Sequence, residues 1–450
     1  MLGVEACLSG LLFDKFVGGV SAGQGLLIFF RIMNIPSLFC RAPQRLSRRL
    51  RHFIAIVGVV AVASPVMGES VVVLNPYEGV NWDEFGHYKA ALHVHTLQSD
   101  GFHSVDKVTR TYRKMGFDIL AITDHDIFGP NTRIEWGGLE EGQGTEFPGD
   151  PKPDGFPANT TWPWTDYGAL SPEELGMVGI EANELTSKHH INSYFTSYGV
   201  HPDEDLTEDE QLYQVKKTGG LAYMDHPAVY ADWWTRRPVE WYVERFQKHS
   251  PDYLVGIEVT NADEDRIKYD EGLWDQLLAR LMPERPVWGF GADDMHQLED
   301  TRETDSIFVL EELSAEAVRE AMLKGQFYFR WASGRIDLRD ARGPFPVIHS
   351  IRVDNDNGII TISASDYDTI KWISVPETLE PLADYKTSHE PWALGQVVHE
   401  GRALNFRETP GVGNYVRAEL TSSEGGRDFR VFTNPFGIGF GNPPQSSPNP

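Results

Sequence analysis

The sequence predicts an α/β protein in which a βα barrel is followed by a small antiparallel β-sandwich. Three observations lead to this prediction. Short apolar runs that end in polar clusters recur from about residue 70, stretches with helical spacing lie between them, and the chain after Gly334 changes to alternating, β-branched segments. The chain has 450 residues, a length that suits one large domain plus a smaller one.

The apolar runs predict the strands of the barrel. Each joins a short apolar stretch to a polar cluster, as in KAALHVHT (89–96), FDILAITDHD (117–126), MVGIEANELTS (177–187), GLAYMDHPA (220–228), YLVGIEVTN (253–261) and VWGFGADDMH (287–296). A continuous apolar run of this length is typical of a strand buried on both faces. Because the polar residues stand at the carboxyl ends of the runs, where a βα barrel builds its active site, we expect them to share one face.

Helices are predicted between the strands. Three stretches have helical spacing: SVDKVTRTYRKMG (104–116), EDEQLYQVKKTGG (208–220) and EGLWDQLLARLM (271–282). The first ends at Gly116 and the second at Gly219-Gly220, and glycine after a periodic stretch is a helix-stop signal. Strands that alternate with helices imply a parallel sheet.

Three further segments differ in composition from the predicted strands and helices of the barrel. Residues 127–176 are rich in Gly, Pro and Trp, and we expect them to form an ordered loop over the active face of a barrel domain spanning residues 69–335. The β-branched segments predict a β-sandwich-like domain over residues 336–440. The Pro/Ser-rich tail, residues 441–450, is predicted to be disordered.

The N-terminal extension, residues 1–68, has the pattern of a signal peptide. Arg48, Arg49 and Arg51 precede the apolar run FIAIVGVVAVA, and small residues near Gly68 make a plausible cleavage site. The apolar run is about 11 residues long, which is shorter than the roughly 20 needed to cross a bilayer. We therefore expect a periplasmic or secreted protein with no stable membrane span in the mature chain.

Cysteine content and charge limit the chemistry. Both cysteines, Cys7 and Cys40, lie in the extension, so the mature chain has none to form disulfides or to bind zinc. Residues 1–68 carry 7 basic and 2 acidic residues, so their removal leaves 33 basic and 64 acidic residues and a net charge of −31. Such a surface repels phosphate backbones, which disfavours nucleic acid as a bulk partner.

Histidines and carboxylates cluster at the predicted strand ends. His93 and His95 alternate along a strand, so both side chains project to one face, where they can bind one metal ion. Eleven of the 15 histidines fall between residues 87 and 296. The candidates after His95 are Asp100, Asp124, His125, Asp126, Glu181 or Glu184, His189 or His190, His226, Asp293, Asp294 and His296. Imidazole and carboxylate ligands without sulfur suit Zn²⁺, Mn²⁺ or Fe²⁺.

These motifs resemble the PHP (polymerase and histidinol phosphatase) superfamily over roughly residues 85–335. HVHTLQSDGFHS and GFDILAITDHD resemble its opening motifs, and ELTSKHHIN, AYMDHP, GIEVTN and GADDMH resemble the later ones in order. The resemblance implies a distorted (β/α)7 barrel with two or three divalent ions, commonly Zn, Mn or Fe. It implies that His93, His95, a glutamate and Asp294 hold one ion, that the glutamate bridges to a second ion on His190 and His226, and that Asp100, His125 and His296 complete a third site.

The resemblance leaves one ligand open. A GxE stretch matches Glu181, whereas the hydroxyl residues and HxN that follow match Glu184, which we favour. His190 is favoured over His189 because adjacent strand residues face opposite ways. The DxH spacing selects Asp294 over Asp293.

Several other polar residues have two interpretations each. Asp124 and Asp126 are predicted catalytic residues that orient ligands or shuttle a proton, or else are simple turn caps. Arg236 and Arg237 could grip a substrate phosphate or be solvated surface residues. Glu258 resembles a family motif but could only support neighbouring ligands.

The leading functional hypothesis is an exported phosphoesterase. Two ions a few Å apart activate a water as hydroxide, which would attack a small anionic phosphomonoester or phosphodiester. One alternative is a metal-dependent hydrolase of a C–N or carboxylic ester bond. Another is a non-catalytic module that binds phosphate or glycan through the metal site. The sequence does not determine the oligomeric state.

Overall fold

The computed structural model describes residues 69–126, 160–200, 205–227, 236–261, 267–298, 301, 304–334, 345–380 and 390–440. Several predictions fall on other parts of the chain. The signal peptide within residues 1–68, the stretch 127–159 of the predicted loop, the domain boundary at 335/336 and the tail 441–450 lie outside the described residues.

Short strands alternate with helices in the first part of the chain. Its strands are β1 (Ser70–Leu74), β2 (Gly86–Ala91), β3 (Ile119–Ala121), β4 (Val178–Ile180), β5 (Ala182–Leu185), β6 (Ile191–Tyr194), β7 (Leu221–Met224), β8 (Leu254–Asn261), β9 (Trp288–Ala292), β10 (Asp305–Leu310) and β11 (Phe327–Ala332). Its helices are α1 (Val105–Lys114), a 3₁₀ turn (Trp164–Tyr167), α2 (Pro172–Leu175), α3 (Glu208–Thr218), α4 (Val239–Lys248), α5 (Ile267–Leu281) and α6 (Ala315–Lys324). The three predicted helices are thus confirmed as α1, α3 and α5.

Local sequence sets the ends of these helices. The Ser104 hydroxyl accepts the backbone N–H of Lys107 at the start of α1. Helix α3 begins with a capping box of Thr207 and Glu210, which satisfies two backbone N–H groups that the helix leaves unpaired. It ends at Gly219, whose φ of 78° is left-handed and strongly favours glycine.

The sheets are mixed, and the prediction of a parallel sheet was wrong in part. The pairs β2–β3, β3–β4, β7–β8 and β8–β9 are parallel. The pairs β5–β6, β6–β7 and β2–β10 are antiparallel. Only residues 186–190 join β5 to β6, and so short a connection can link only antiparallel neighbours.

Two sheets of this region meet at two points. Strand β5 follows β4 after the single residue Glu181, and a parallel bridge joins His125 to Glu184. A second parallel bridge joins Val94, beyond β2, to Met295, beyond β9. These contacts bring the carboxyl ends of β2, β3, β5, β7 and β9 to one place.

The C-terminal part is built of antiparallel strands, as predicted. They are β12 (Val347–Asp354), β13 (Ile359–Ser365), β14 (Thr369–Pro376), β15 (Gly395–Glu400), β16 (Ala403–Asn405), β17 (Tyr415–Glu424), β18 (Arg427–Thr433) and β19 (Phe436–Phe440). One apolar core contains Ile351 and Ile362 of the β12–β13–β16 sheet together with Trp372 and Leu420 of β14 and β17.

The larger C-terminal sheet continues into the first part of the chain. Strand β18 pairs with β11, which pairs with β10, and β10 pairs with β2. Strand β19 pairs with β1 at the start of the described chain. The described residues between 69 and 440 accordingly form one compact unit. Among the described residues, no helix has the length and apolar character needed to cross a membrane.

Candidate metal centre

The nine residues predicted as metal ligands lie together at the strand ends. His93 and His95 follow β2, His125 follows β3, and His226 follows β7. Glu184 lies within β5, and His190 lies just before β6, at the same end of the β5–β6 hairpin. The remaining three are Asp100, Asp294 and His296, the last two of which follow β9.

Glu184 lies at the middle of the cluster. Its Oε2 lies 3.4 Å from His93 Nε2 and 3.3 Å from His95 Nε2. Its other oxygen, Oε1, lies 2.5 Å from His190 Nδ1 and 3.1 Å from His226 Nε2. Oε2 also lies 3.1 Å from His125 Nδ1. The two oxygens thus face different sets of histidines, which is the arrangement required of a bridging ligand.

Asp294 closes the group on the His93–His95 side. Its Oδ1 lies 3.3 Å from His93 Nε2 and 3.2 Å from His95 Nε2. Its backbone has a φ of 49°, in the left-handed region that aspartate tolerates better than most residues. Strained backbone of this kind concentrates at functional sites.

Asp100, His125 and His296 form a third group. His296 Nε2 lies 3.2 Å from Asp100 Oδ2, and His125 Nε2 lies 3.6 Å from Asp100 Oδ1. His95 Nδ1 is also 3.6 Å from Asp100 Oδ1. His95 therefore lies between the first group and the third.

The donor atoms fit divalent ions. His93 Nε2, His95 Nε2 and Glu184 Oε2 are buried and make no hydrogen bond with any described residue. Buried polar atoms without such bonds are costly, so their convergence calls for a bound group. Nitrogen and carboxylate donors suit Zn²⁺, Mn²⁺ or Fe²⁺.

Glu258 contacts two of the predicted ligands, His93 and His226, but is not itself one of the nine. Its Oε1 lies 2.7 Å from His93 Nδ1, and its Oε2 accepts the backbone N–H of His226 at 2.8 Å. A carboxylate on the far ring nitrogen fixes the tautomer and orientation of a ligand histidine. The geometry therefore agrees with the supporting interpretation of Glu258.

Sequence reasoning missed two residues at the site. Asp225 is buried, and one of its oxygens lies within 4.8 Å of donor atoms of His93, Glu184 and His226. Burial, followed by the nearby charge of Glu258, raises its pKa well above the usual value. Asp225 stands directly before His226 in AYMDHP, which was the available signal. Thr186 is one of the hydroxyl residues that follow Glu184 in the motif, but its contact of 2.7 Å from Oγ1 to His125 Nδ1 was not predicted.

Both predicted catalytic aspartates accept several hydrogen bonds. Asp124 accepts the Thr96 and Thr161 hydroxyls at 2.6 Å, the Ser99 hydroxyl at 2.6 Å and the Thr96 N–H at 2.7 Å. Asp126 accepts the backbone N–H groups of Thr186 at 2.9 Å and Val200 at 2.7 Å. These bonds hold the loops that carry Asp100 and flank His125, which favours an orienting role.

The alternative candidates point away from the cluster. Glu181 accepts the Thr160 hydroxyl at 3.3 Å. His189 lies 3.1 Å from the Tyr242 hydroxyl through Nε2 and stacks on Trp241. Among the described groups suited to holding an ion, none contains Glu181, His189 or Asp293.

The two arginines proposed as phosphate ligands are engaged elsewhere. Arg236 is buried, stacks at 3.7 Å on Trp392 and donates to the Glu390 carbonyl at 2.8 Å. Arg237 lies 3.5 Å from Glu208 and over Trp241. Neither of the interpretations considered for Arg236 was right, because that residue anchors the C-terminal segment.

Without a metal ion, the histidines and carboxylates of the cluster shift each other's pKa values. Burial alone would lower the pKa of His93 and His95, but the nearby carboxylates of Asp294 and Glu184 raise both values more strongly. The pKa of His93 therefore lies well above its usual value, and that of His95 lies at about 10. Burial likewise opposes ionisation of Glu184 and Asp294, yet the histidines hold both pKa values well below the usual range. Burial lowers the pKa of His125 to about 3.

Metal binding is therefore expected to release protons. Near pH 7 the metal-free protein holds protons on His93 and His95, whose pKa values are raised, and an ion must displace them. The affinity should rise as the pH increases from about 6 to 9, because fewer protons then compete. Titration calorimetry with Zn²⁺ in Hepes and in Tris at one pH should give different heats. Equal heats in the two buffers would contradict the raised pKa values.

One edge of the cluster is open to solvent. The side chains of His190, Asp294 and His296 are 19%, 20% and 21% exposed, whereas those of His93 and Glu184 are 0% and 1% exposed. Among the described residues, this exposed edge is where a small substrate can reach the cluster.

Comparisons with known proteins give only distant similarities. No family model matches the sequence, and no curated protein matches it significantly. A two-domain protein from Bacteroides vulgatus containing a predicted PHP-like metal-dependent phosphoesterase is 16% identical, with 76% of this chain and 91% of that chain covered and a TM-score of 0.43.

Two other solved structures are more distant. The lesion-specific endonuclease PfuEndoQ from Pyrococcus furiosus is 14% identical, with 53% of this chain and 56% of that chain covered and a TM-score of 0.33. A protein from Bifidobacterium adolescentis assigned as a metal-dependent phosphoesterase is 15% identical, with 52% and 96% covered and a TM-score of 0.30. Because these sequence identities and TM-scores are low, the function has to be inferred from the geometry of the cluster.

Proposed function

We propose that this chain is a metal-dependent phosphoesterase of the PHP type that hydrolyses a small phosphomonoester or phosphodiester. The observation that carries the proposal is the convergence of His93 Nε2, His95 Nε2 and Glu184 Oε2, which are buried and make no hydrogen bond with any described residue. The fold proposed with it is a distorted (β/α)7 barrel.

The proposed ligand sets are those that the resemblance implies. Donor atoms that lie within 4.8 Å of one another group slightly differently, with His190 beside His125 and Glu184, and His226 beside His93, Glu184 and Asp225. His93, His95 and Asp294 hold one ion, and His190 and His226 hold a second. Glu184 belongs to both sets, because its two oxygens face the two histidine pairs. Asp100, His125 and His296 hold a third ion, for which His95 also offers a nitrogen.

The protein side chains set up the reaction geometry. Bound divalent ions lower the pKa of a coordinated water and neutralise charge on a phosphoryl oxygen. Glu258 keeps the His93 imidazole in one tautomer. Asp124 and Asp126 hold the strand-end loops, so that neither the ligands nor the ions need to reorganise as charge develops.

Substrate charge and size limit what the site accepts. The chain carries a net charge of −26, so an anionic substrate is repelled except where ions or cations compensate. The ions of the cluster would supply such compensation at its exposed edge. A small phosphoester is therefore favoured over a long nucleic acid, and export with loss of residues 1–68 is part of the same proposal on sequence grounds.

The proposal is tested with chelator-treated protein reloaded separately with Zn²⁺, Mn²⁺ or Fe²⁺. Bound metal is measured by mass spectrometry, and rates are measured on p-nitrophenyl phosphate, bis-p-nitrophenyl phosphate and p-nitrophenyl acetate. We expect hydrolysis of a phosphate ester that depends on the ion. Hydrolysis of the acetate alone would favour the carbonyl hydrolase.

A paired substitution tests the ligand assignment. His93→Ala combined with His95→Ala should remove both bound metal and activity, whereas His399→Ala on β15 should leave both unchanged. Retention of metal and activity by the double variant would overturn the proposed centre.

A further inference from the structure

A groove lies between the turns that precede β2 and strand β12. It consists of two adjoining cavities of about 850 Å³ and 730 Å³, and Trp82 and Asp83 line both. Each volume is within the range of roughly 300–1,000 Å³ that is usual for small-molecule sites. We call this feature the Trp82 groove.

The Trp82 groove is separate from the metal centre. Of the residues that line it, Phe85 lies just before β2, His87 lies near its beginning and Lys89 lies in its middle. The same strand runs on to His93 and His95 at its other end. The groove therefore opens at the end of the strand opposite the candidate ligands.

Aromatic rings line the middle of the groove. Trp82 is half-buried, with its ring centroid 5.6 Å from that of Tyr77 and 5.8 Å from the His87 ring in an edge-on arrangement. The Tyr328 hydroxyl lies 3.1 Å from His87 Nδ1. These neighbours hold a large flat side chain at the junction of the two cavities, where a ligand can cover it.

The charges that line the groove balance. The acids are Glu78, Asp83 and Asp118, and the bases are Lys89, Arg330 and Arg352. Burial and the nearby His349 lower the pKa of His87, which keeps it neutral near pH 7. In a chain with a net charge of −26, such a balance favours a neutral ligand over an ionic one.

The cations at the His87 end are already paired. Lys89 Nζ lies 3.2 Å from Asp305, and Arg330 binds the same carboxylate at 2.7 Å. By contrast, Glu78, Asp83 and Arg352 are exposed, and no described residue forms a hydrogen bond or ion pair with their side chains. These three groups can bond to hydroxyls of a ligand along the other cavity.

We propose that the Trp82 groove binds a neutral oligosaccharide, with a sugar ring on the Trp82 face and sugar hydroxyls bonded to Glu78, Asp83 and Arg352. A sugar ring has an apolar C–H face that covers an aromatic ring and a rim of hydroxyls that needs donors and acceptors of both kinds. The groove offers both, and its two adjoining cavities, which share Trp82 and Asp83, have room for several linked rings.

The test is titration calorimetry of the full chain with maltohexaose, xylohexaose and chitohexaose, with tri-galacturonate as an anionic probe. We expect binding of at least one neutral hexasaccharide, weakened about tenfold or more by Trp82→Ala. The exposed aromatic Tyr213 on α3 provides the matched control, Tyr213→Ala, which should bind as the unaltered chain does.

A second variant separates a loss of binding from misfolding caused by Trp82→Ala. Asp83→Asn combined with Arg352→Gln changes only exposed polar groups and should also weaken binding. EDTA should leave binding unchanged, because the groove lies away from the metal centre. The proposal is overturned if no neutral probe binds, if only the anionic probe binds, or if binding survives Trp82→Ala.

Discussion

Glu184→Gln is expected to lower the rate of phosphoester hydrolysis by at least about a hundredfold. Substitution of a residue that only hydrogen-bonds a metal ligand already lowers metal affinity or activity by about 10- to 100-fold, and Glu184 is a proposed ligand itself. The carboxylate of Glu184 faces His93 and His95 through one oxygen and His190 and His226 through the other. An amide keeps the shape but loses the charge and offers one oxygen in place of two. Bound metal per chain, measured by mass spectrometry, should fall with the rate.

Glu181→Gln is the matched control. It makes the same chemical change three residues earlier in the chain. Among the described residues, the Glu181 side chain accepts a hydrogen bond from the Thr160 hydroxyl and from no other group. Rate and metal content should stay close to those of the unaltered protein. If Glu181→Gln lost metal while Glu184→Gln kept it, the assignment of the bridging carboxylate would be reversed.

Asp275→Ala is expected to destabilise the protein by about 3–5 kcal/mol, which is typical when one partner of a buried ion pair is removed. Asp275 lies in α5 and binds Arg417 of β17 through two contacts of 2.8 Å, with both side chains almost fully buried. The same carboxylate accepts the Tyr415 hydroxyl at 3.0 Å and the Gly395 N–H at 2.7 Å. Its loss leaves the buried Arg417 charge without its two short contacts and with Glu271, 3.9 Å from Nη2, as the nearest remaining described carboxylate.

The measurement is urea unfolding in the presence of EDTA, so that metal binding does not contribute to stability. Asp106→Ala breaks the half-exposed pair with Arg110 on α1 and should cost less than about 1 kcal/mol. Asp275→Leu combined with Arg417→Met should recover part of the loss, because apolar residues of similar volume replace buried ion pairs well. Equal unfolding midpoints for Asp275→Ala and Asp106→Ala would refute the importance of this pair.

The Asp275–Arg417 pair also shows what sequence patterns could not predict about the fold. Asp275 and Arg417 are 142 positions apart, and nothing in the local sequence of either indicates the other. The predicted sandwich strands are present, yet their larger sheet continues through β18 and β11 towards β2. Local periodicity reports which residues are buried, but not which strand lies beside which.

The parallel sheet was overpredicted for a related reason. Apolar runs that alternate with helices are typical of βαβ units, and β7, β8 and β9 follow that rule. Strand β6 is antiparallel to both of its neighbours, β5 and β7. Strand β6 was not among the predicted strands, and without it α3 has the appearance of a direct crossover between β5 and β7, which run in the same direction.

The sequence by itself determined the chemical character of this protein: imidazoles and carboxylates at strand ends, no cysteine beyond the first 40 residues, and strong net acidity. Spacing suffices for this, because alternation along a strand places His93 and His95 on one face. Only the tertiary structure decided that Glu184 contacts the histidines while Glu181 does not, that Asp225 joins them, and that Arg236 is held by Trp392. Those outcomes depend on distances between segments far apart in the chain, and these distances are set by packing.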